Sequence, residues 1–421
     1  MEEQKNKNVK KIILGIIISG AIMGLAVCFV IAYKNTKTTS NQTNTIDQSD
    51  DNTQTVISDS TSSLKNTTTN SNSSTSTSNS KSFNITKGGS YDLSGNYESV
   101  VVNTSEEVIL NLNGVEITNS SGPAINIEKA KKVTIVLSGT NKITATTTED
   151  LDGAIYSKAD LVLSGNGSLE VKSNYDGIVS KDTLVIQNGT YTITSDDDGI
   201  RGKDSVEIQD GTFTINAGGD GIKSSNDQDT SLGFVTIKGG TFNITAKSDG
   251  VQGITKVTIS GGTFNIKSSE GIEATYVKID DGTINIEASD DGINASNKSN
   301  ISTPTVEING GNITIKMGQG DTDAIDANGN IYINGGKINI TGNSAFDYDW
   351  TAQKNGGTII VNGTEINTIT NQMMGGGMQG GRQGMQNNGE GQMNPNGQMQ
   401  NNRGAKGRRY KKGGKDYKSI S

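Results

Sequence analysis

An aspartate followed by glycine and an aliphatic residue returns about every 22 residues, at Asp152, Asp176, Asp198, Asp220, Asp249 and Asp291, and with alanine for glycine at Asp323-Ala324-Ile325. More acids crowd the same place: Asp196 and Asp197 before Asp198, Asp290 before Asp291, Asp321 before Asp323, and Asp227 and Asp229 after Asp220. Carboxylates repeated at one position have three possible fates. They can be turn residues facing water, they can hold protons because crowded acids raise each other's pKa, or they can bind Ca²⁺, which takes about six to eight oxygen ligands. Turn chemistry does not require the duplicated acids. Calcium is therefore the cofactor these residues favour, with Asp176, Asp196, Asp197, Asp198, Asp220, Asp227, Asp229, Asp249, Asp290, Asp291, Asp321 and Asp323 as candidate ligands; solvated turn residues are the alternative.

Cations share the region. Lys158, Lys181 and Lys203 follow their aspartates by five or six residues, while Arg201 and Lys223 follow theirs by three. Spacings of 23 and 22 would align the three lysines in a column. Together with calcium, these five residues suit a polyanionic sugar, whose carboxylates complete a metal shell and pair with Lys or Arg. Equally, they could do no more than balance nearby aspartates. Other chemistry is excluded by composition: with no histidine and Cys28 alone, neither a protease triad nor the usual zinc sites can form. Residues 81–371 carry 21 Lys/Arg against 37 Asp/Glu, so nucleic acid is not the expected partner of this acidic body.

A fixed period of this length implies a solenoid. Each repeat offers a first short strand (Leu184-Val185-Ile186, Val206-Glu207-Ile208, Val235-Thr236-Ile237), then a glycine corner such as Gly239-Gly240 or Gly261-Gly262. A second strand contributes one large inward residue per turn: Leu169, Tyr191, Phe213, Phe242, Phe264, Ile284, Ile313, Ile338 and Ile359. The aspartate corner and a third strand complete the coil. Alternation with period two puts the aliphatics inside. The predicted fold is all-β, a right-handed parallel β-helix with about 21–23 residues per coil over residues 82–371. Stacked coils would bring equivalent aspartates about 4.8 Å apart, costing about 1 kcal/mol per neighbouring pair in water and about 3–4 at an effective dielectric near 20, so something must neutralise them. Two longer intervals, 29 and 32 residues, place inserted loops at Ser224–Leu232 and Asn294–Thr303. Phe83 to Thr144 reads as a first, capping set of coils, and Trp350 as a lid on the last.

The flanks give the expected address. Ile12 to Tyr33 is an uncharged, mostly apolar run of 22 residues behind Lys5, Lys7, Lys10 and Lys11, long enough to cross a bilayer as a helix. The basic cluster before it predicts a single-pass cell-membrane protein with residues 1–11 cytoplasmic and the body extracellular; a cleaved signal peptide is the competing reading. Residues 34–81 are Ser, Thr and Asn rich and predict a flexible stalk of about 35–40 Å reach. The tail, 372–421, is Met, Gly, Gln and Asn rich and basic, suited to cell-wall polyanions.

The run from Ser195 to Ser224, SDDDGIRGKDSVEIQDGTFTINAGGDGIKS, resembles a bacterial family of cell-surface carbohydrate-binding proteins with a parallel β-helix fold. The likeness extends over Phe83 to Gly363. It implies calcium binding and a polysaccharide partner such as cellulose or polygalacturonate. That family is in turn similar to family 9 pectate lyases, which bind calcium through aspartates and use a lysine to take the C5 proton of a uronate. The resemblance would make Asp196, Asp197, Asp198 and Asp220 ligands and Lys203 or Lys223 the base. A lysine base must lose its proton near neutral pH, through burial or a neighbouring cation. The sequence shows no desolvating pocket and sets these lysines among carboxylates, so binding without cleavage is expected, with a uronate lyase or a structural adhesin as alternatives. A tethered protein could equally hold its own wall or capsule polymer.

Overall fold

The computed structural model describes residues 81–320 and 322–371. The expected anchor at 12–33, the stalk up to residue 80, the tail from 372 and Asp321 lie outside the described residues. No helix among the described residues is long and apolar enough to cross a membrane.

What is described is all-β, a solenoid of 34 strands. Each coil contributes one strand to each of three parallel ladders. The first ladder includes Thr183–Ile186, Ser205–Ile208, Phe234–Ile237 and Lys256–Ile259. The second includes Thr190–Ser195, Thr212–Ala217, Thr241–Ala246 and Thr263–Ser268. The third includes Asp176–Ser180, Ile200–Gly202, Ile222–Ser224, Asp249–Gln252, Glu270–Ala274, Ile293–Ala295 and Asp323–Ala327. Partners stand in strict register: Phe213 pairs with Phe242 and Phe242 with Phe264, while Ile200 pairs with Ile222.

The register stacks like on like. Tyr191, Phe213, Phe242 and Phe264 are buried, their rings parallel within 8° and separated by 5.0, 4.7 and 4.5 Å. Leu169 and Ile284 extend the column on either side, paired with Tyr191 and Phe264. Each stacked aromatic pair contributes about 0.5–1.5 kcal/mol beyond its buried area. The corner before each ring needs positive φ, 136° at Gly211 and 111° at Gly240, a region open to glycine.

Both ends depart from the simple repeat. At the amino end, Gly89–Asn103 runs through a corner, pairing first with Glu107–Asn119 and then with Ile125–Lys129, with a bulge near Leu93. At the carboxyl end the cover is Thr364–Ile366, folded back antiparallel on Thr358–Val361, with Ile369 buried against the core. Trp350, expected as the lid, is 68% exposed instead: it sits at a corner between ladders, so its ring faces solvent. The inserted loops lie where the two long intervals placed them, each between the third and first ladders.

Candidate functional site

The repeated acids stand at the entry to the third ladder. Asp176, Asp198, Asp220 and Asp249 are each at least 96% buried. Their carboxylates are wired to the backbone of the next coil. The Asp198 amide donates to Asp176 Oδ1 at 2.9 Å, the Asp220 amide to Asp198 Oδ1 at 2.8 Å, and the Asp249 amide to Asp220 Oδ1 at 2.9 Å. Asp323 donates in the same way to Asp291 Oδ1 at 3.2 Å. One oxygen of each of these acceptor carboxylates thus closes a backbone donor that would otherwise be buried without a partner.

The second oxygens meet a neighbouring file. Three residues beyond each acid, in register across coils, stand Arg201, Lys223, Gln252, Glu273, Asn294 and Asp326. Arg201 lies between coils, paired with Asp152 and 2.5 Å from Asp176 Oδ2, with Asp198 Oδ2 at 3.9 Å. Lys223 reaches Asp220 Oδ2 at 2.6 Å and Asp198 Oδ2 at 3.3 Å, and Lys181 reaches Asp152 Oδ2 at 3.0 Å. Beyond Lys223 the cations stop. Gln252 bridges Asp249 and Glu273; Lys298, from the second inserted loop, pairs with Glu273, and Asn294 Nδ2 donates to Glu270 Oε2 at 3.0 Å.

Charge states follow this division. Burial pushes Asp152 upward, but Arg201 and Lys181 outweigh it and hold the carboxyl below its ordinary range. Asp176 rises to about 7, because burial, helped by Asp198 and Asp152, outweighs Arg201. Further along the file other acids are raised as well. Asp249 reaches about 9 and Glu270 about 8, through burial first and then the surrounding acids. Asp326 reaches about 8 and Asp291 about 7 for the same reason, although the Asp323 amide opposes the rise at Asp291. Burial would ease the proton off Lys223, yet Asp198 and Asp220 outweigh it and hold the proton above the usual lysine range. The environment of Lys223 differs from the solvated one expected: it is half-buried, and its carboxylate partners reverse what burial alone would do.

The other residues singled out from sequence are spread around this face. Asp197 joins Asp176 and Asp198 in a group whose carboxylate oxygens lie within 4.8 Å of one another, and Asp196 is exposed beside it. Asp290 is exposed before Asp291. Asp227 and Asp229 are exposed in the first inserted loop, where Asp227 accepts from Gln228 and Asp229 from Ser231. Lys158 and Lys203 are exposed at the following corner, whereas Lys181 packs over the Tyr156 ring at 5.4 Å. Sequence reasoning passed over Asp152 as an ion-pair partner, and Glu273, Asn294, Asp326 and Lys298 as neighbours of the file. The three-residue offset from each acid was the signal that would have found Glu273, Asn294 and Asp326.

A groove of about 480 Å³ lies elsewhere, on the outer face of the second ladder. Its lining mixes asparagines and threonines with Lys267, Glu287 and Lys316. Asn265 donates to Asn243 at 3.0 Å and Asn285 to Asn265 at 3.1 Å, flanked by Thr214 and Thr314.

Residues 78–321 and 268–408 match the family model described as carbohydrate-binding domain-containing protein. The chain belongs to this carbohydrate-binding family. Among solved structures it is similar to one described as "Structure of the polysaccharide lyase-like protein from C. thermocellum, Gadolinium derivative", at 28% identity over 57% of this chain and 89% of that one, with a TM-score of 0.41. No curated protein matches it. The family points to a carbohydrate partner.

Proposed function

We propose that the protein is a membrane-anchored, extracellular polysaccharide-binding module that holds an acidic glycan through calcium and does not cleave it. The observation that carries this reading is the acid cluster on the third ladder: Asp249, Glu270 and Glu273 bring carboxylate oxygens within 4.8 Å of one another, with Lys298 paired to Glu273. Without a cation Asp249 and Glu270 hold protons near neutral pH, and a divalent cation would replace those protons and leave a positive point for a polyanion. Ca²⁺ would supply that link by accepting oxygens from the protein and from uronate carboxylates together. Asp249, Glu270, Glu273 and Asn294 would hold it, since they offer oxygen donors alone. Lys223, its proton clamped by Asp198 and Asp220, is unsuited to remove a C5 proton, which supports binding over lyase chemistry. The apolar run at 12–33 and its flanking lysines support the anchor.

A second reading is favoured by the groove on the second ladder, where asparagines and threonines lie between Lys267, Glu287 and Lys316. Its threonines and asparagines suit a neutral, cellulose-like glycan, and such binding would not need calcium.

Calorimetric titration of the purified full-length chain with polygalacturonate, in Ca²⁺ and again in EDTA, tests both. Binding that vanishes in chelator, with no unsaturated ultraviolet-absorbing product, is the expected outcome. Product formation would make the protein a lyase. Binding of a neutral glucan that ignores EDTA would move recognition to the second ladder, and no binding to either would overturn the proposal.

A further inference from the structure

A parallel solenoid covers each inward side chain with the equivalent residue of the next coil, so its last coil needs a cover from elsewhere. Along the third ladder Ile272, Ile293, Ile325 and Phe346 stack in register, and Phe346 lies on the last strand, Ser344–Tyr348. Among the described residues the cover is partial. Thr364–Ile366 folds over the end of the second ladder and Ile369 is buried against the core, whereas Trp350 turns to solvent. Beside Phe346 stands a cavity of about 280 Å³, with Ala345, Phe346, Val361 and Ile366 as its apolar walls and Thr368 and Thr370 among the rest of its lining. That is many times the ~30 Å³ share of one water molecule.

The chain itself supplies an occupant. Thr370 lines the cavity, and Asn371 Nδ2 donates to the Tyr348 carbonyl at 2.7 Å, so the backbone arrives at the cavity tied to the strand that carries Phe346. Met373 and Met374 follow Asn371 by two and three residues, within about 12 Å of it at 3.8 Å per residue. Methionine is the apolar side chain that adapts to irregular gaps. Gly375, Gly376 and Gly377 come next and let the chain turn away. No charged side chain lines the cavity, which suits a thioether and not the basic residues further along the tail. We propose that the Met373-Met374 pair packs into this cavity and closes the carboxyl end of the solenoid. The lid expected at Trp350 is thereby placed at the start of the tail, and the root of the tail is held to the body. A segment tethered this close to its site has a high effective concentration, which favours the chain's own methionines over those of a second copy.

The test is hydrogen peroxide footprinting of the purified full-length chain, read residue by residue by mass spectrometry. Each peroxide gives one oxygen to a thioether sulfur and leaves as water, and a sulfur kept from solvent reacts more slowly. At least one of Met373 and Met374 should oxidise several-fold more slowly than Met378, Met385, Met393 and Met399, which share the tail; protection of one alone supports the closure and names the seated side chain. Ile366→Asn, which removes an apolar wall, should bring Met373 and Met374 to the rate of the others, with circular dichroism checking the fold. Met373→Asp with Met374→Asp should lower the thermal unfolding midpoint by a few degrees, whereas Met378→Asp with Met385→Asp should leave it in place. Equal oxidation rates along the tail, or a midpoint indifferent to the first pair of substitutions, overturn the closure, and the unsubstituted chain gives the first of these readings even if Ile366→Asn fails to fold. Protection that fades on dilution would seat the tail of a second copy in the cavity and overturn closure within one chain.

Discussion

Asp176 is 1% exposed, accepts the Asp198 amide through Oδ1 and meets Arg201 through Oδ2. Its carboxyl is nevertheless raised to about 7, since burial outweighs the guanidinium and the acids at Asp198 and Asp152 add to it. The unfolded chain releases this proton near 3.8, so between about pH 4 and about 7 the folded state holds more protons than the unfolded one. Raising the pH through that window therefore costs stability, by on the order of 1 kcal/mol per unit at its steepest. In Asp176→Asn the slope belonging to this residue is gone. Urea unfolding in EDTA at half-unit steps from pH 4 to 8 should show the wild type losing stability relative to Asp176→Asn up to about pH 7, then running parallel. A difference that stays flat from pH 4 to 8 would mean that Arg201 keeps Asp176 ionised throughout.

At the scale of the strand, the glycine of each aspartate-glycine pair is set by the neighbouring coil and not by a left-handed turn. A Cβ on Gly199 would stand 2.6 Å from the Gly221 carbonyl oxygen and 2.6 Å from Ile215 Cγ2; on Gly221 it would meet the Gly250 oxygen at 2.6 Å. Gly221→Ala must push two coils apart, and is expected to cost about 1–3 kcal/mol, read as a lower urea midpoint with the slope unchanged. The strands themselves were legible because β-branched residues at alternate positions have one buried side, and the aromatic column followed from the period. The coupling of the acids was not. A carboxylate that closes the amide of the next coil acts across 22 residues of sequence, and nothing local marks it. Equal spacing drew attention to Lys158, Lys181 and Lys203, yet only Lys181 among them forms an ion pair among the described residues; the cations bound into the file, Arg201 and Lys223, sit on the third ladder, where the pleat aims them at the acids. Asp227 and Asp229 show the limit from the other side, since a loop has no period to say which way its side chains face.

Across the whole solenoid, the acid file from Asp176 to Asp323 occupies seven successive third-ladder positions, about 30 Å at the spacing of β-strands. Its ends differ, with Arg201 and Lys223 set into the file in the coils of Asp176 to Asp220 and Gln252, Glu273, Asn294 and Asp326 at that register position in the later ones. A polyanionic chain laid along this face would meet Arg201 and Lys223 at one end and bridging calcium at the other, so successive sugars add contacts within one molecule. Oligogalacturonates of increasing length, titrated in calcium, should therefore bind with rising affinity until they span the face, and a further increase in length should add little. Arg201 and Lys223 are neutralised within the protein, so the calcium half should dominate and EDTA should abolish the length dependence along with the affinity. An affinity that is already complete with a disaccharide would confine recognition to a single pocket and exclude the extended track.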